Sequence, residues 1–447
     1  MSAKAGKIKK STYLAWPTRT ISYAVGACLF GSITFYATDV MQLSAATVGI
    51  IFMISKIFDG FTDFVFGYFV DKLNLKSGKG RPFEFAIIGY WLTLVLMFSA
   101  PNLGINMSYI YLFIMYTLNV SVFTTMLTGC ESVYLSNVVE KSEQSVSILS
   151  VTGIVSMIIT IIASMIFPQL IAAAGTDKAA WTKFAIVIAI PMTVFGLIRF
   201  MVVKERHSSD AKASQKFTLK EMLSLLRQNK YILIYALISL LANFGTNFTN
   251  ATSTYYYKYI MGDIGIGSIM ALSMLSMVIA IGITPLISKK IGFVNTIRTY
   301  TVIGFVGYLL RLVSPSSIPV VFFANILSYV GYYPMFAMSG SFIIDCIDYG
   351  EWKTGKRSQG TIASAQTITS KIGQAIGVGG VGILMALSGY NGALAVQSSL
   401  ATTVIVLEAS VIPAIFLVIQ FILLRLFDLD KKLPQIRKDL EQRRIEN

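Results

Sequence analysis

The feature that most constrains this chain is a run of about 20 apolar residues that recurs along nearly its whole length, each run long enough to cross the roughly 30 Å hydrocarbon core of a bilayer as a helix. Twelve such runs are legible, near 17–38, 46–70, 83–101, 108–135, 146–172, 182–203, 231–257, 266–288, 298–314, 318–343, 361–388 and 398–426. Backbone groups in lipid must be satisfied internally, so the runs predict an all-α membrane protein with twelve transmembrane helices. Composition agrees. Apolar residues make up 55% of the 447 and charged residues only 13%, against about 25% charged in a soluble domain. A water-facing surface cannot be built from so few charges.

The formal charge of +15 could suggest nucleic acid, but its placement argues for membrane orientation. Assigning alternate loops to opposite sides leaves Lys178, Lys183, Lys258 and Arg311 outside, puts Lys56 and Lys371 within spans, and gathers the other basic residues on the opposite face. That bias is the positive-inside pattern, so both termini are expected in the cytoplasm, with lipid headgroups as partners and no nucleic acid. Cys28, Cys130 and Cys346 are isolated and read as packing residues. No removable signal segment is evident at the start.

The longest polar stretch, 204–230, divides the chain into an N-terminal six-helix bundle (1–203) and a C-terminal one (231–426), followed by a cytoplasmic tail (427–447). Within that stretch Phe217 to Gln228 reads as a short amphipathic surface helix. A weak internal repeat supports the division: GYFVDK (Gly67 to Lys72) follows span two, and PLISKKIG (Pro285 to Gly292) follows the second span of the second half. The first resembles the G-x-x-x-D-[RK] signature of the major facilitator superfamily, and the second is similar to a degraded copy. Two such bundles would place a binding cavity at their interface near mid-membrane.

Ionisable residues inside spans cost roughly 2.5–3.5 kcal/mol each at a helix centre, so each needs a reason. Asp59 and Asp63 lie four apart in span two and project from one face, with Thr62 beside them. Two carboxylates and a hydroxyl suit a small hard cation such as Na⁺ or Li⁺, or a proton. The plainer reading pairs one Asp with Lys56. Lys371 falls about 15 Å into span eleven, with Gln366 and Thr367 before it, and is a binding or structural lysine. Glu131 in span four could pair with Lys371, bind a polar group of the solute, carry a proton, or sit solvated at a helix end. Arg19 reads as a lipid-head anchor and Glu408 as a structural or interface residue. Tyr255, Tyr256, Tyr257 and Tyr259 read as an interfacial belt.

Taken together, FDGFTD (Phe58 to Asp63), Gly67 to Asp71 and GKGRPF (Gly78 to Phe83), with DCIDYGEWKTG (Asp345 to Gly355) and KIGQAIG (Lys371 to Gly377), resemble the glycoside-pentoside-hexuronide:cation symporters, the melibiose and glucuronide permease group of the major facilitator superfamily. The resemblance covers essentially the whole chain. It implies the major facilitator fold in a bacterial inner membrane and a coupling-cation site at Asp59, Thr62, Asp63 and Thr124. It also implies Lys371 between cation and sugar, with Gln366, Thr367 and Phe336 lining the cavity, and a cytoplasmic gate network of Asp345, Asp348 and Arg357. No cofactor is implied beyond Na⁺ or H⁺ as coupling ion.

The chain also departs from the melibiose type. Tyr23 and Leu127 stand where those members carry sugar-binding acids, Glu131 stands at a nearby aromatic position, and no Lys or Arg occurs between Lys141 and Lys178 where span five supplies an arginine. An anionic or more apolar glycoside therefore fits better than a galactoside, with Tyr23 and Glu131 among the solute contacts. A carrier of lysolipid or another amphiphile, and a membrane sensor that binds without transporting, are the alternatives. An enzyme is not expected, since the only histidine, His207, lies in the polar central loop.

Overall fold

The apolar runs form helices, and the polar residues inside them decide where those helices bend. The structure, a computed structural model, describes residues 9–72, 78–139, 142–205, 229–355 and 359–446. The amphipathic segment expected over 217–228 and the gate residue Arg357 lie outside the described residues, as do the side chains of the 67–72 motif. Among the described residues, ten helical segments are long and apolar enough to cross a membrane. Helices also occupy Ala86–Met97 and Phe293–Leu310, where the third and ninth spans are expected, but they are 12 and 18 residues long and are not among the ten.

The helices group into two units. One holds the described residues up to Glu205 together with Gly382–Gln397; the other holds those from Asn229 to Val381 together with those from Ser398 onward. In this grouping the C-terminal turn of span eleven falls with the N-terminal helices, and the tail falls with the C-terminal ones.

In the first unit, α1 (Lys10–Phe30), α2 (Ala45–Lys72), α3 (Ala86–Met97) and α4 (Ile105–Thr117) lead to a π-helical stretch, Leu118–Thr124, a short helix Thr125–Gly129, and α5 (Glu131–Val138). Then come α6 (Ser142–Ala174) and α7 (Lys178–Val202), both packed on α1. A π turn adds one residue to the helical repeat and so rotates everything after it. Here the rotation is pinned by Ser55, whose hydroxyl lies 2.8 Å from that of Thr117 and whose carbonyl accepts from Ser121 Oγ at 3.2 Å, and by Phe52 stacked on Tyr116 at 4.1 Å.

In the second unit, α8 (Lys230–Tyr259), α9 (Leu275–Ile291), α10 (Phe293–Leu310), α11 (Ile318–Ala337), α12 (Ser339–Thr354), α13 (Gln359–Leu387, in this unit up to Val381), α14 (Ser399–Ala409), α15 (Val411–Leu426) and α16 (Leu429–Glu446) follow in order. Asn229 caps α8, its side-chain oxygen accepting from the backbone N–H of Tyr231 and Ile232. The core is aromatic and aliphatic around Tyr231, Tyr235, Tyr332 and Phe342. Tyr255 and Tyr256 are buried in this unit, with the Tyr256 hydroxyl donating to the Pro315 carbonyl at 2.7 Å, so these two pack internally rather than in an interfacial belt. Arg311 is also buried, not an outer-loop charge, because its guanidinium is held by the Ala409 carbonyl and Asn325 Oδ1.

Candidate functional site

Asp59 and Asp63 sit one turn apart on α2, and Asp59 is only 4% exposed. Both are met by one hydroxyl: Thr125 Oγ1 lies 3.1 Å from Asp59 Oδ1 and 2.9 Å from Asp63 Oδ1. A hydroxyl carries a single hydrogen and cannot donate to two carboxylates at once. A proton on one carboxyl, or a cation shared by the pair, completes the arrangement, since oxygen-only donors suit hard cations. Thr62 stands beside them with its hydroxyl turned back to the Asp59 carbonyl at 3.0 Å.

Thr124, expected in this set, lies beside Tyr23, and the hydroxyl that meets both acids is that of Thr125. The π-helical stretch Leu118–Thr124 runs directly into Thr125 and so helps set the face on which it lies. The family resemblance implies Thr124, the immediate neighbour of Thr125 in the sequence. Tyr23 packs on Tyr90 with ring centroids 5.2 Å apart, and Asp59 acts electrostatically on it, so Tyr23 belongs to the same neighbourhood.

Glu131, expected to face a solute, is placed elsewhere. Its oxygens accept from Arg199 Nη1 and Nη2 at 2.9 Å each and from Trp16 Nε1 at 3.2 Å, and Arg19 is paired with it. Arg199 also donates from Nε to Glu84 Oε2 at 2.8 Å and from Nη2 to Glu84 Oε1. Arg19 Nε lies 3.9 Å from Glu84. Two arginines and two glutamates thus close a neutral quartet within the unit, roofed by Trp16 and Tyr134, whose ring centroids lie 4.6 and 5.3 Å from the Arg199 guanidinium. Arg19 is 3% exposed and Arg199 fully buried, so Arg19 is a core ion-pair partner rather than a lipid-head anchor. Neither Arg199 nor Glu84 was singled out by sequence. Each sits near a span end, where a charge ordinarily reads as solvated.

Another residue that sequence reasoning missed, Glu205, explains the Gly-Lys-Gly-Arg string. Its carboxylate accepts from the backbone N–H groups of Lys79, Gly80 and Arg81 at 2.9, 2.8 and 2.6 Å and from Asn137 Nδ2 at 2.9 Å. Gly78 has φ +112°, and a Cβ there would stand 2.4 Å from the Glu205 carboxyl carbon, so glycine is required on both counts.

In the second unit Lys371 lies half-buried on α13. Its helix is fastened to α8 by Ser370 and Ser239, whose hydroxyls are 2.9 Å apart, and by Gln374 Nε2 donating to Asn243 Oδ1 at 3.3 Å. A Cβ at Gly373 would meet the Leu240 carbonyl oxygen at 2.3 Å, which sets the close approach of the two helices. Gln366 is half-buried and Thr367 exposed on the same helix, and Phe336 packs beside Tyr333 on α11 at 6.2 Å. Asp345 and Asp348 on α12 are brought together by Arg437 of the tail helix α16, with Nη2 and Nε each 3.0 Å from a carboxylate oxygen. Trp352 Nε1 donates to Asp439 at 2.9 Å, adding a second clasp. Burial pushes the Asp345 carboxyl up to about 6, with Arg437 opposing the shift.

Ten helical segments long and apolar enough to cross a membrane fit a multi-pass membrane protein; that it is a transporter and not an enzyme follows from its family. The family description "MFS/sugar transport protein" matches residues 11–431, and the chain belongs to that family. It is similar to the isoprimeverose transporter of Lactiplantibacillus pentosus, 26% identical with 92% of this chain and 86% of the relative covered. It is similar as well to the glucuronide carrier protein homolog of Escherichia coli (strain K12), 25% identical with 95% and 93% covered. Among solved structures, a bacterial homolog of the human lysosomal transporter Spinster shares the fold at TM-score 0.69 and 12% identity, covering 93% of this chain and 96% of that one. The nucleoside transporter NupG does so at TM-score 0.65 and 18% identity, covering 92% and 99%.

Proposed function

We propose that the protein is a cation-coupled symporter of twelve spans, with both termini cytoplasmic, that accumulates a glycoside by alternating access. The observation that carries this reading is the single Thr125 hydroxyl shared by two acids in a membrane helix. Two carboxylates so close in a membrane helix attract a positive charge, and a Na⁺ or H⁺ gradient supplies one. Asp59 and Asp63 with Thr125 hold the coupling ion, Thr62 and Thr124 flank it, and Tyr23, Phe336, Gln366, Thr367 and Lys371 contact the solute. The names of the two relatives support a glycoside, and Lys371 favours one that carries a carboxylate. Glu131 drops out of the solute set because its oxygens are already engaged by Arg199. Occupation of both sites favours closure, and this mutual dependence is the coupling. Asp345 and Asp348, held by Arg437, contribute to the cytoplasmic gate.

The test is uptake into proteoliposomes of a panel of glycosides and glucuronides, driven by an imposed Na⁺ or pH gradient. Asp59→Cys and Asp63→Cys each abolish gradient-driven accumulation of the transported solute while leaving exchange. Full accumulation in both variants overturns the assignment.

A further inference from the structure

The last span is broken in the middle. α14 ends at Ala409, Ser410 follows with φ −131° and ψ −71°, and α15 begins at Val411. Pro413 explains the break, since it has no N–H to return to the carbonyl four residues back, which is that of Ala409. The freed carbonyl is taken by Arg311, and the Pro413 carbonyl accepts from the Tyr332 hydroxyl at 3.2 Å.

One residue before the break stands Glu408, 0% exposed. One of its oxygens lies 3.2 Å from Thr252 Oγ1 on α8, and the other has no hydrogen-bond partner among the described residues. The Thr252 hydroxyl also lies 3.1 Å from the Phe248 carbonyl oxygen. Thr252 donates to one carboxyl oxygen, while the other sits fully buried with no donor among the described residues to satisfy a charge on it. Among the described residues no salt bridge to Glu408 is made. The helices most extensively packed on α14 are α8 and α15. The titratable side chains of α8 nearest in chain to Thr252 are Tyr255 and Tyr256, with Lys258, Tyr257 and Tyr259 beyond and Lys230, Tyr231 and Tyr235 at its other end; α15 carries only Arg425, near its far end. Arg311 is committed to the Ala409 carbonyl and to Asn325 Oδ1. A bare carboxylate so placed would cost several kcal/mol, whereas the neutral acid fits as it stands.

The geometry points to Glu408 as a second proton-binding site of the carrier, distinct from the α2 acids: its carboxyl holds a proton, accepts from Thr252, and keeps the broken turn of span twelve neutral. Loss of that proton sets a negative charge one residue from the carbonyl that holds Arg311. The turn then has reason to exchange its partner from the carbonyl to the carboxylate, which makes the last span sensitive to pH.

Infrared difference spectra of the purified full-length protein against Glu408→Gln test this without any solute. The wild type shows a protonated-carboxyl carbonyl band at neutral pH that Glu408→Gln lacks, and the band gives way to a carboxylate band only on alkalinisation. Thr252→Val, which keeps the acid and removes its partner, shifts the same band to higher frequency. Thermal unfolding supplies a second readout, in which the wild type loses stability from neutral to alkaline pH more steeply than Glu408→Gln. Identical spectra in the carbonyl region, an unshifted band in Thr252→Val, or parallel pH profiles overturn the proposal.

Discussion

Replacing Arg199 by Met offers the sharpest energetic test of the N-terminal unit. The guanidinium is fully buried and reaches both Glu84 and Glu131, each through two nitrogen–oxygen contacts. Methionine keeps much of the length and apolar stem but leaves two carboxylates facing Arg19 alone, so a neutral quartet becomes a buried net charge of −1. Breaking one partner out of a buried ion cluster costs about 3–5 kcal/mol. At roughly 2–4 °C per kcal/mol for a unit of this size, the unfolding midpoint of the unit falls by about 10 °C. The assay is thermal unfolding in detergent followed by tryptophan fluorescence, to which Trp16 is well placed because its ring lies 4.6 Å from the guanidinium carbon. Adding Glu131→Gln to Arg199→Met restores charge balance and recovers a good part of the loss, which a double-mutant cycle measures. A midpoint that stays within about 2 °C in the single variant, or a double variant worse than the sum of its parts, would refute the reading of the quartet as a charge-balanced unit.

Thr125→Val removes the shared hydroxyl and weakens the apparent affinity for the coupling ion by about 5- to 10-fold, on the order of 1 kcal/mol for the lost bond, whereas Thr124→Val has the smaller effect; ion titration of solute exchange separates them. The Asp345 carboxyl, raised to about 6, binds protons more tightly folded than unfolded. Its contribution to stability is therefore greatest below about pH 4 and is lost as pH rises to about 6. The corresponding slope in unfolding midpoint against pH disappears in Asp345→Asn. Tyr390→Phe removes the 2.5 Å hydrogen bond to buried Asp39 and leaves one acceptor less satisfied. It lowers the midpoint of the N-terminal unit by a few degrees, about 1–3 kcal/mol, while Tyr390→His, which keeps a donor, loses less.

Much of this architecture is legible in sequence because hydrocarbon is an unforgiving solvent. Apolar runs must be helices, so all ten described crossing segments overlap runs read from the chain alone, and the spacing of Asp59 and Asp63 places both acids on one face. The identity of the bridging threonine was not legible, because a π turn changes the helical count locally and leaves no composition signature. The Arg19–Glu84–Arg199–Glu131 quartet escaped for a different reason. Its members come from four separate segments, α1, the 3₁₀ turn Arg81–Phe85, α5 and α7, and a charge near a span end is read as solvated until its partner is found across the fold. Similarly, Arg437 reads as one of many tail charges until α16 lies along α12.

The run of glycines in α13, Gly377, Gly379, Gly380 and Gly382, coincides with the point where the chain passes from one unit to the other, after Val381. On one side of that point a Cβ at Gly377 would press on the Phe244 carbonyl at 2.8 Å; on the other, a Cβ at Gly382 would press on the Ala45 carbonyl at 2.4 Å. A single rod is thereby moored to a different neighbour at each end. Glycine is the poorest helix former short of proline, at about 1 kcal/mol per residue relative to alanine, so this stretch is the most pliant part of the rod. Alanines there would crowd both moorings and stiffen the one place along α13 where a bend is cheap.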